Sequence, residues 1–308
     1  MEHGTGAIPT PQAVRNTQFR ILAAAPIVDW SIPYTVPLNA PVLNQDGSSG
    51  CTSFGTSIYV RALSQSEGRD DDYSRRYIYS QVFQPNGGAY IDSAMAIPLK
   101  GVPLASQVPD MDASEAIMRD SSLNATATLV ERTSKYAIIP KSNIDQLAQV
   151  IKDYNGFVTG FLGHNGMFAP DGTIADWSKV DWGHAVYVYG FEIRNGVKCL
   201  RFRNSWGNAW GSSGDGFFPE EFVNAGDKLF SCYTYTDVED IDPTSMNNRY
   251  VMVDKDVWLV KNGQRSLIYN TDAFMAVCGD WSKIEKISQS QLDAIPDSGK
   301  IIAGINQE

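Results

Sequence analysis

The sequence lacks an apolar run of about 20 residues, the length that a membrane-spanning helix needs. The longest apolar run, residues 21–28, is interrupted by Pro26. Basic clusters are missing as well: 25 Lys and Arg residues stand against 35 Asp and Glu residues, which gives a formal net charge of −10. Such a cluster is needed to neutralise a row of phosphates, so we expect a soluble chain that neither inserts into a membrane nor binds nucleic acid.

A secretory signal is also missing from the start of the sequence. Residues 1–18 have neither the basic start nor the apolar core of such a signal. We therefore expect a protein that stays in the cytoplasm or is assembled into a particle, unless export takes another route or the signal has been removed.

Cysteine is scarce, with four residues in the whole chain: Cys51, Cys199, Cys232 and Cys278. They are too few and too scattered for a disulfide framework or a CxxC metal site, so no metal or other cofactor is predicted. At least one should be a free thiol. Cys199 and Cys232 lie in strand-like segments, which favours two buried thiols over a disulfide between them.

Hydrophobic residues make up 43% and charged residues 19% of the chain, as in ordinary globular proteins. The length predicts about two folded units. Residues 1–44 are rich in Pro, Ala, Thr and Asn and indicate an extended arm. Helical spacing follows, starting at or next to Cys51, and then in residues 73–83 and 90–99. Strand-like segments occupy residues 157–163, 184–193, 197–206 and 229–238. Helices followed by strands predict an α+β protein.

A small C-terminal α/β module is predicted from residue 251 to residue 308. It follows a linker-like stretch at 241–250, and residues 257–268 alternate around Asn262-Gly263, as in a β-hairpin. The module resembles small repeats appended to bacterial and phage surface proteins. This favours attachment to a cell wall or a virion, and a packing cap on the rest of the chain is the alternative.

Three residues suggest thiol chemistry. Cys51 follows a loop rich in Gly and Ser at the start of a predicted helix, where a helix N-terminus can lower a thiol pKa. His184 begins a strand-like segment that can position a base, and Asn204 can orient the imidazole. Each residue alone has an ordinary structural explanation: a core thiol, a strand histidine and a turn asparagine. Only their joint spacing argues for a site.

The motifs that carry these residues resemble the papain family of cysteine peptidases. They are VDW at 28–30, NQ at 44–45 followed by Cys51, NGG at 86–88, GHAV at 183–186, and NSWGNAWG with GDGFF within 204–218. The resemblance spans residues 28–240 and implies a two-lobed fold, with a helical lobe and a strand-rich, barrel-like lobe. Residues 1–27 then form the N-terminal arm.

The resemblance also implies roles for individual residues. Cys51 would be the nucleophile, His184 the base and Asn204 its orienting partner, and Gln45 would donate to the oxyanion. Gly87 and Gly88 would leave backbone open to pair with a peptide substrate. Ala185 would line a substrate pocket, and Trp206 would shield the site from water and belong to the substrate-binding residues.

Two features depart from the usual family pattern. The family has Cys-Gly-Ser-Cys-Trp at the nucleophile, whereas this chain has Ser48, Ser49, Gly50, Cys51 and Thr52, so the usual neighbouring disulfide cannot form. A long inhibitory pro-segment is also missing, so we expect control by other means or masking by residues 1–44 alone.

The sequence therefore predicts a cysteine peptidase that acts on peptides or proteins through an acyl-enzyme on Cys51. The alternative is a papain-fold structural or binding part, such as a component of a phage particle or surface complex, with a silent or slow site. A third possibility is transfer of the acyl group to an amine.

Overall fold

The structure is a computed structural model and describes residues 5–11, 28–130, 133, 135–139, 143–226, 228–236, 248–253, 255–287, 292 and 295–302. The chain divides into two compact units, residues 1–236 and residues 237–308. The first unit combines a helical part with a sheet, so the predicted α+β class is confirmed. Residues 1–4 and 12–27 of the predicted N-terminal arm and residues 241–247 of the predicted linker lie outside the described residues.

The helices of the first unit come largely before its sheet. They are α1 (Cys51–Ser66), α2 (Arg75–Val82), α3 (Ile91–Ala96), α4 (Glu115–Arg119), α5 (Ile144–Tyr154) and α6 (Glu220–Asn224), with short 3₁₀ turns at Ile97–Lys100 and Asn124–Thr126. The first three lie where helical spacing predicts them. Helix α1 is buried on nearly every side, including Phe54, Ile58 and Tyr59, so it forms the centre of this unit rather than an amphipathic surface helix.

The described residues of the first unit contain nine strands: β1 (Ala7–Ile8), β2 (Tyr34–Thr35), β3 (Ala89–Tyr90), β4 (Tyr136–Ile138), β5 (Phe157–Gly163), β6 (Trp182–Arg194), β7 (Val197–Arg203), β8 (Asp215–Pro219) and β9 (Leu229–Tyr235). Seven form an antiparallel sheet in the order β4-β9-β5-β6-β7-β8, with β2 also paired to β6. The two others, β1 and β3, pair in parallel. Strand β6 is the longest and carries His184 near its start.

Helix α1 packs directly on this sheet. A methyl group added at Gly55, one turn after Cys51, would lie 3.4 Å from the backbone carbon of Val186 and 3.5 Å from a methyl carbon of Val158. These are ordinary van der Waals distances, so the backbone of α1 lies directly against β5 and β6 at this point. This packing holds the start of α1 beside the start of β6.

A buried carboxylate ties three strands of the sheet together. Asp215 is 2% exposed and forms 2.6 Å ion pairs with Arg201 and Arg203, and it accepts a 2.8 Å hydrogen bond from the Tyr189 hydroxyl. Its charge is thus compensated by two cations and a donor. In the sequence this aspartate lies in the GDGFF motif, which by itself does not indicate its two ion pairs.

We expect Asp215→Ala to lower the free energy of unfolding by about 3–5 kcal/mol, because it leaves two partly buried guanidinium groups without their counterion. The matched control is Asp171→Ala, which removes the 2.7 Å partner of Arg194 at a carboxylate that is 44% exposed. An exposed pair is worth about 0–1 kcal/mol. Urea unfolding followed by tryptophan fluorescence measures both, and equal effects would contradict this account of the network.

Where the structure describes it, the second unit contains a five-stranded sheet and one α-helix. Its strands are β10 (Arg249–Val253), β11 (Asp256–Lys261), β12 (Gln264–Ile268), β13 (Ile284–Lys286) and β14 (Asp297–Ile302), arranged in the order β13-β10-β11-β12-β14. Strand β10 begins two residues before the predicted start of the module at residue 251. Helix α7 (Thr271–Val277) is capped by Asn270, whose side-chain oxygen accepts a 2.8 Å hydrogen bond from the Ala273 amide.

The predicted hairpin in this unit is confirmed. Strands β11 and β12 pair antiparallel, with Lys261 opposite Gln264, so only Asn262 and Gly263 form the turn. Both turn residues have positive φ, 55° and 71°, as a two-residue type I′ turn requires. The Asn-Gly pair therefore determines both the position and the type of the turn.

All four cysteines are free thiols, so the disfavoured disulfide between Cys199 and Cys232 is not formed. Within the residues described, no helix has the length and hydropathy needed to cross a membrane.

Candidate active site

Cys51 is the first residue of α1 and has no exposed surface. The backbone amides of Thr52 and Ala185 both donate toward its sulfur. Since Ala185 directly follows His184 in β6, this contact places the thiol next to the start of that strand. The packing of α1 on the sheet thus brings together two residues that are 133 positions apart in the sequence.

His184 and Asn204 meet across the same part of the sheet. The Nε2 atom of His184 lies 2.8 Å from the Oδ1 atom of Asn204, and both side chains are buried. The ring of Trp206 stacks on the imidazole at a centroid distance of 4.4 Å, and Phe161 meets its edge at 5.5 Å. The aromatic rings exclude water from the hydrogen bond and fix the orientation of the imidazole.

Gln45 is fully buried in the loop before Cys51. Its backbone amide donates to the carbonyl of Ser205 at 2.8 Å, and its side-chain Nε2 donates to the carbonyl of Ser48 at 2.8 Å. The hydroxyl of Ser205 donates to its Oε1. The loop before the nucleophile is therefore hydrogen-bonded to the segment that carries Asn204. One of the two hydrogens of the Gln45 side-chain amide is used in the bond to Ser48.

The glycine pair at 87–88 lies in a tight turn. Both residues have positive φ, 89° and 75°. The Gly88 carbonyl accepts a 2.8 Å hydrogen bond from the Gln84 amide, and its own amide donates to the Tyr79 hydroxyl at 3.1 Å. Both polar backbone groups of Gly88 are therefore engaged within the first unit, and the residue that pairs with an extended segment is Ala89.

That extended segment is the start of the chain itself. The Gly6 amide donates to the Gly183 carbonyl at 3.0 Å, and the Gly6 carbonyl accepts from the Ala89 amide at 3.0 Å. Strand β1 then continues parallel to β3. Residues 5–11, which we call the cleft segment, pass over Cys51, and the amides of Gly6 and Ala7 point toward its sulfur.

The cleft segment is also anchored at its far end. The Thr10 hydroxyl donates to Asp92 at 2.7 Å, and the Thr10 amide donates to the Ser231 hydroxyl at 3.1 Å. Thr10 is buried, whereas its neighbours Pro9 and Pro11 are exposed. Side-chain and backbone contacts therefore hold the segment at both ends of its passage across the site.

Burial of Cys51 reverses the pKa shift that a helix N-terminus favours. Loss of contact with water raises the pKa of the Cys51 thiol to about 12, and the amides of Ala185, Thr52, Gly6 and Ala7 offset only part of that effect. The expectation of a lowered pKa is therefore wrong for this covered state. At neutral pH the thiol is protonated here.

Thr52 replaces the family's usual tryptophan without opening the site. Its side chain is fully buried, and its hydroxyl has no hydrogen-bond partner among the residues that the structure describes. Helix α1 keeps its packing at this point.

A cavity of about 360 Å³ adjoins the histidine side of the site. It is lined by Phe168, Trp182, Trp206 and Trp210, together with His164 and with Thr5 of the cleft segment. Its walls are aromatic with a few polar groups, as in pockets that hold part of a ligand. Of the predicted substrate-binding residues, Trp206 lines this cavity, and Ala185 contacts the thiol.

Sequence reasoning overlooked three contributors to the site. Ser205 holds the Gln45 side chain, and its position next to Asn204 was a usable signal. Tyr79 and Glu115 hold the loops on the two sides of Cys51, through contacts with Gly88 and Ser49. Neither lies near a recognisable motif, so no sequence signal points to them.

Three solved structures illustrate the similarity of this fold to known proteins. Xylellain, a cysteine protease from Xylella fastidiosa, is 20% identical with a TM-score of 0.63, covering 77% of this chain and 97% of its own. Digestive procathepsin L 3 from the larval midgut of Tenebrio molitor is 20% identical with a TM-score of 0.59, and the match covers 76% of this chain and 75% of its own. The cysteine protease and lectin-like domains of Cwp84, a surface layer associated protein of Clostridium difficile, are 16% identical with a TM-score of 0.57, covering 73% and 57%.

No curated protein shows significant sequence similarity to the chain. Residues 28–221, more than half of the chain, match the family described as papain family cysteine protease. This match and the shared fold confirm the resemblance carried by the sequence motifs, and the chain belongs to the papain family of cysteine proteases.

Proposed function

We propose that this protein hydrolyses peptide bonds through an acyl-enzyme formed on Cys51. The observation that carries the proposal is the 2.8 Å contact between His184 Nε2 and Asn204 Oδ1 beside a thiol at the start of a buried helix. A nucleophile, a base and an orienting acceptor are the parts that covalent acyl transfer requires. Family membership supports the same reaction.

In the proposed reaction, the hydrogen bond between His184 and Asn204 determines which imidazole nitrogen accepts the proton. Since Nε2 of His184 faces Asn204, Nδ1 takes the proton of Cys51 as the sulfur attacks the substrate carbonyl carbon. The same proton then passes to the departing amine, the C–N bond breaks and the thioester remains. Water next gives a proton to His184 and attacks the thioester, which releases a carboxylic acid and regenerates the thiol.

The oxyanion of each tetrahedral intermediate would lie between Gln45 and the start of α1. The Gln45 amide group has two hydrogens and donates one to Ser48, so the other can be donated to the oxyanion. The Cys51 amide at the helix N-terminus is the second donor in this proposal. A single donor of this kind contributes about 10²–10³ in rate.

The path of the cleft segment marks where a peptide would bind. Gly6 lies over the thiol and bonds to the strands on both sides, so a substrate residue would replace it there. The aromatic cavity beside Thr5 would receive the part of the substrate next to the bond that is cleaved. A substrate must therefore displace the cleft segment before it reacts.

The attachment role of residues 251–308 stays a prediction. Several large apolar side chains of the second unit are exposed in its described residues, including Tyr269, Met275, Trp281 and Ile301. One protein of similar fold is a surface layer associated protein, which supports attachment to a surface.

Peptide cleavage tests the proposed function directly. We expect the full chain carrying Gly6→Val, which displaces the cleft segment, to cut a mixed peptide library into fragments with new free carboxylates, detected by mass spectrometry. The control that also carries Cys51→Ala should give none. Added glycinamide should leave the fragments as carboxylates, whereas amide products would show that an amine accepts the acyl group. No Cys51-dependent products from a folded variant would contradict the proposal and favour a papain-fold binding part.

A further inference from the structure

The space directly over Cys51 is too narrow for a side chain. A Cβ atom built on Gly6 would lie 2.5 Å from the backbone oxygen of Ser49, 2.7 Å from its Cβ atom and 3.0 Å from the Cα atom of Gly88. Two of these three contacts are with backbone atoms, which cannot turn aside as a flexible side chain does. Glycine is therefore the one residue type that fits this position as it stands.

The two walls of this space belong to separate loops, and a hydrogen-bonded bridge connects them. On one side the Ser49 amide donates to Glu115 Oε2 at 2.7 Å. On the other side the Gly88 amide donates to the Tyr79 hydroxyl at 3.1 Å, and that hydroxyl donates to Glu115 Oε1 at 2.9 Å. Arg119 also donates to Glu115 Oε1, at 2.6 Å. The bridge thus runs from Ser49 through Glu115 and Tyr79 to Gly88.

The donor of every hydrogen bond in the bridge is defined. Burial, together with the neighbouring Glu115 carboxylate, raises the pKa of the Tyr79 hydroxyl, which therefore keeps its proton and donates it. Glu115 accepts from three partners and Tyr79 accepts from Gly88. Because both ends are main-chain amides, the bridge holds the distance between the two backbone walls rather than the position of a side chain.

We infer that the cleft accepts only glycine at the substrate residue whose carbonyl carbon Cys51 attacks, and that the Tyr79–Glu115 bridge is the device that enforces this choice. The inference rests on the proposed peptidase function and specifies its substrates as peptides with glycine before the bond that is cut. The limit applies to a peptide whose backbone follows the path that Gly6 takes over Cys51. Ser49 contributes to it where the family usually has glycine, and its Cβ is one of the three obstructing atoms.

The test compares two peptides that differ only in having glycine or alanine before the bond that is cut. The enzyme is the full chain with Gly6→Val, and the readout is the ratio of the two kcat/KM values. Any cleft segment that remains bound lowers both values equally, so the ratio reports the space over Cys51 alone. We expect the glycine peptide to be favoured at least about tenfold, because forcing a methyl group into a closed space is strongly unfavourable.

Tyr79→Phe removes the central hydroxyl of the bridge while keeping the ring. We expect it to lower the ratio to about threefold or less, by raising cleavage of the alanine peptide rather than by slowing that of the glycine peptide. Tyr77→Phe is the matched control on the same helix, because its hydroxyl takes no part in the bridge, and it should leave the ratio unchanged. Ser49→Gly removes one obstructing atom without touching the bridge and should lower the ratio partway.

The outcomes separate this inference from the function on which it rests. Equal cleavage of both peptides, or a ratio that stays high in both Tyr79→Phe and Ser49→Gly, overturns the inference and leaves the peptidase standing. Failure to cleave either peptide, when Cys51-dependent cleavage of the mixed library is also missing, overturns both. A ratio that falls in Tyr79→Phe and not in Tyr77→Phe supports the bridge as the determinant.

Discussion

Replacing Gly6 with valine is expected to raise the rate at which iodoacetamide alkylates Cys51 at pH 7 by at least about tenfold. The new Cβ would lie 2.5 Å from the backbone oxygen of Ser49, so the cleft segment cannot stay in place. Its departure exposes the thiol to water and to the reagent. Intact mass with time measures the alkylation rate, with Cys51→Ala identifying the adducts of the other thiols.

The pH dependence of the same reaction should change with the cleft segment. The raised pKa of about 12 in the covered state means that the thiolate fraction, and hence the rate, increases with each pH unit throughout the neutral and mildly alkaline range. Once water reaches the thiol, its pKa falls and the rate should level off at a lower pH. Gly6→Val should therefore show a plateau where the unaltered chain still rises.

Pro11→Val is the control for these measurements. Pro11 belongs to the cleft segment but is exposed, so the substitution introduces the same side chain into the segment without creating a clash over Cys51. In this variant Cys51 should be alkylated as slowly as in the unaltered chain. Equal alkylation rates in Gly6→Val and the unaltered chain would show that the segment does not restrict access to the thiol.

The largest loss of activity is expected from Cys51→Ala, measured as kcat of the Gly6→Val chain with a cleavable peptide. Removing the nucleophile of a comparable catalytic group costs about 10⁶ in kcat. His184→Gln should cost nearly as much, because nucleophile and base act as a unit. Gln45→Ala should cost about 10²–10³, since it removes one oxyanion donor and leaves the other.

The double substitution of Cys51 and His184 distinguishes this account from simple damage to the fold. Residues that act as a unit are not additive, so the pair should lose little more activity than Cys51→Ala alone. If the fold-losses of activity in the two single variants multiplied in the double variant, Cys51 and His184 would not act together in one step. A circular dichroism spectrum equal to that of the parent chain is the control for folding.

Local sequence features predict much of the fold because the corresponding interactions are local. The start of α1 at Cys51 follows from a Gly-rich loop and the helical spacing after it. The turn at Asn262-Gly263 follows from the positive φ values that these two residues tolerate. The long strand β6 follows from a run of Val, Tyr and Phe residues.

The covered state of Cys51 could not be predicted in the same way. It depends on Gly6 pairing with Ala89 and Gly183, which are 83 and 177 positions away in the chain, and nothing in the composition of residues 5–11 specifies those partners. The direction of the thiol pKa shift follows from this burial, so it could not be predicted either. The position of Cys51 at a helix N-terminus favours a lower thiol pKa, whereas removal of water raises that pKa.

The missing family disulfide has a structural counterpart that no motif indicates. Without a cysteine at Ser48, the loop before the nucleophile has no covalent link to its surroundings. Instead, Glu115 and Tyr79 connect Ser49 to Gly88 through three hydrogen bonds of 2.7–3.1 Å. These residues come from two helices well separated in sequence, which is why spacing alone gives no sign of their contact.

Covalent labelling of the Gly6→Val chain with an epoxide inhibitor of papain-like enzymes, read by intact mass, tests directly whether Cys51 is an active thiol. We expect one adduct per chain at neutral pH, lost when Cys51→Ala is added and formed much more slowly in the unaltered chain. The absence of an adduct from the folded Gly6→Val chain would contradict an active thiol at Cys51, and with it the proposed peptidase.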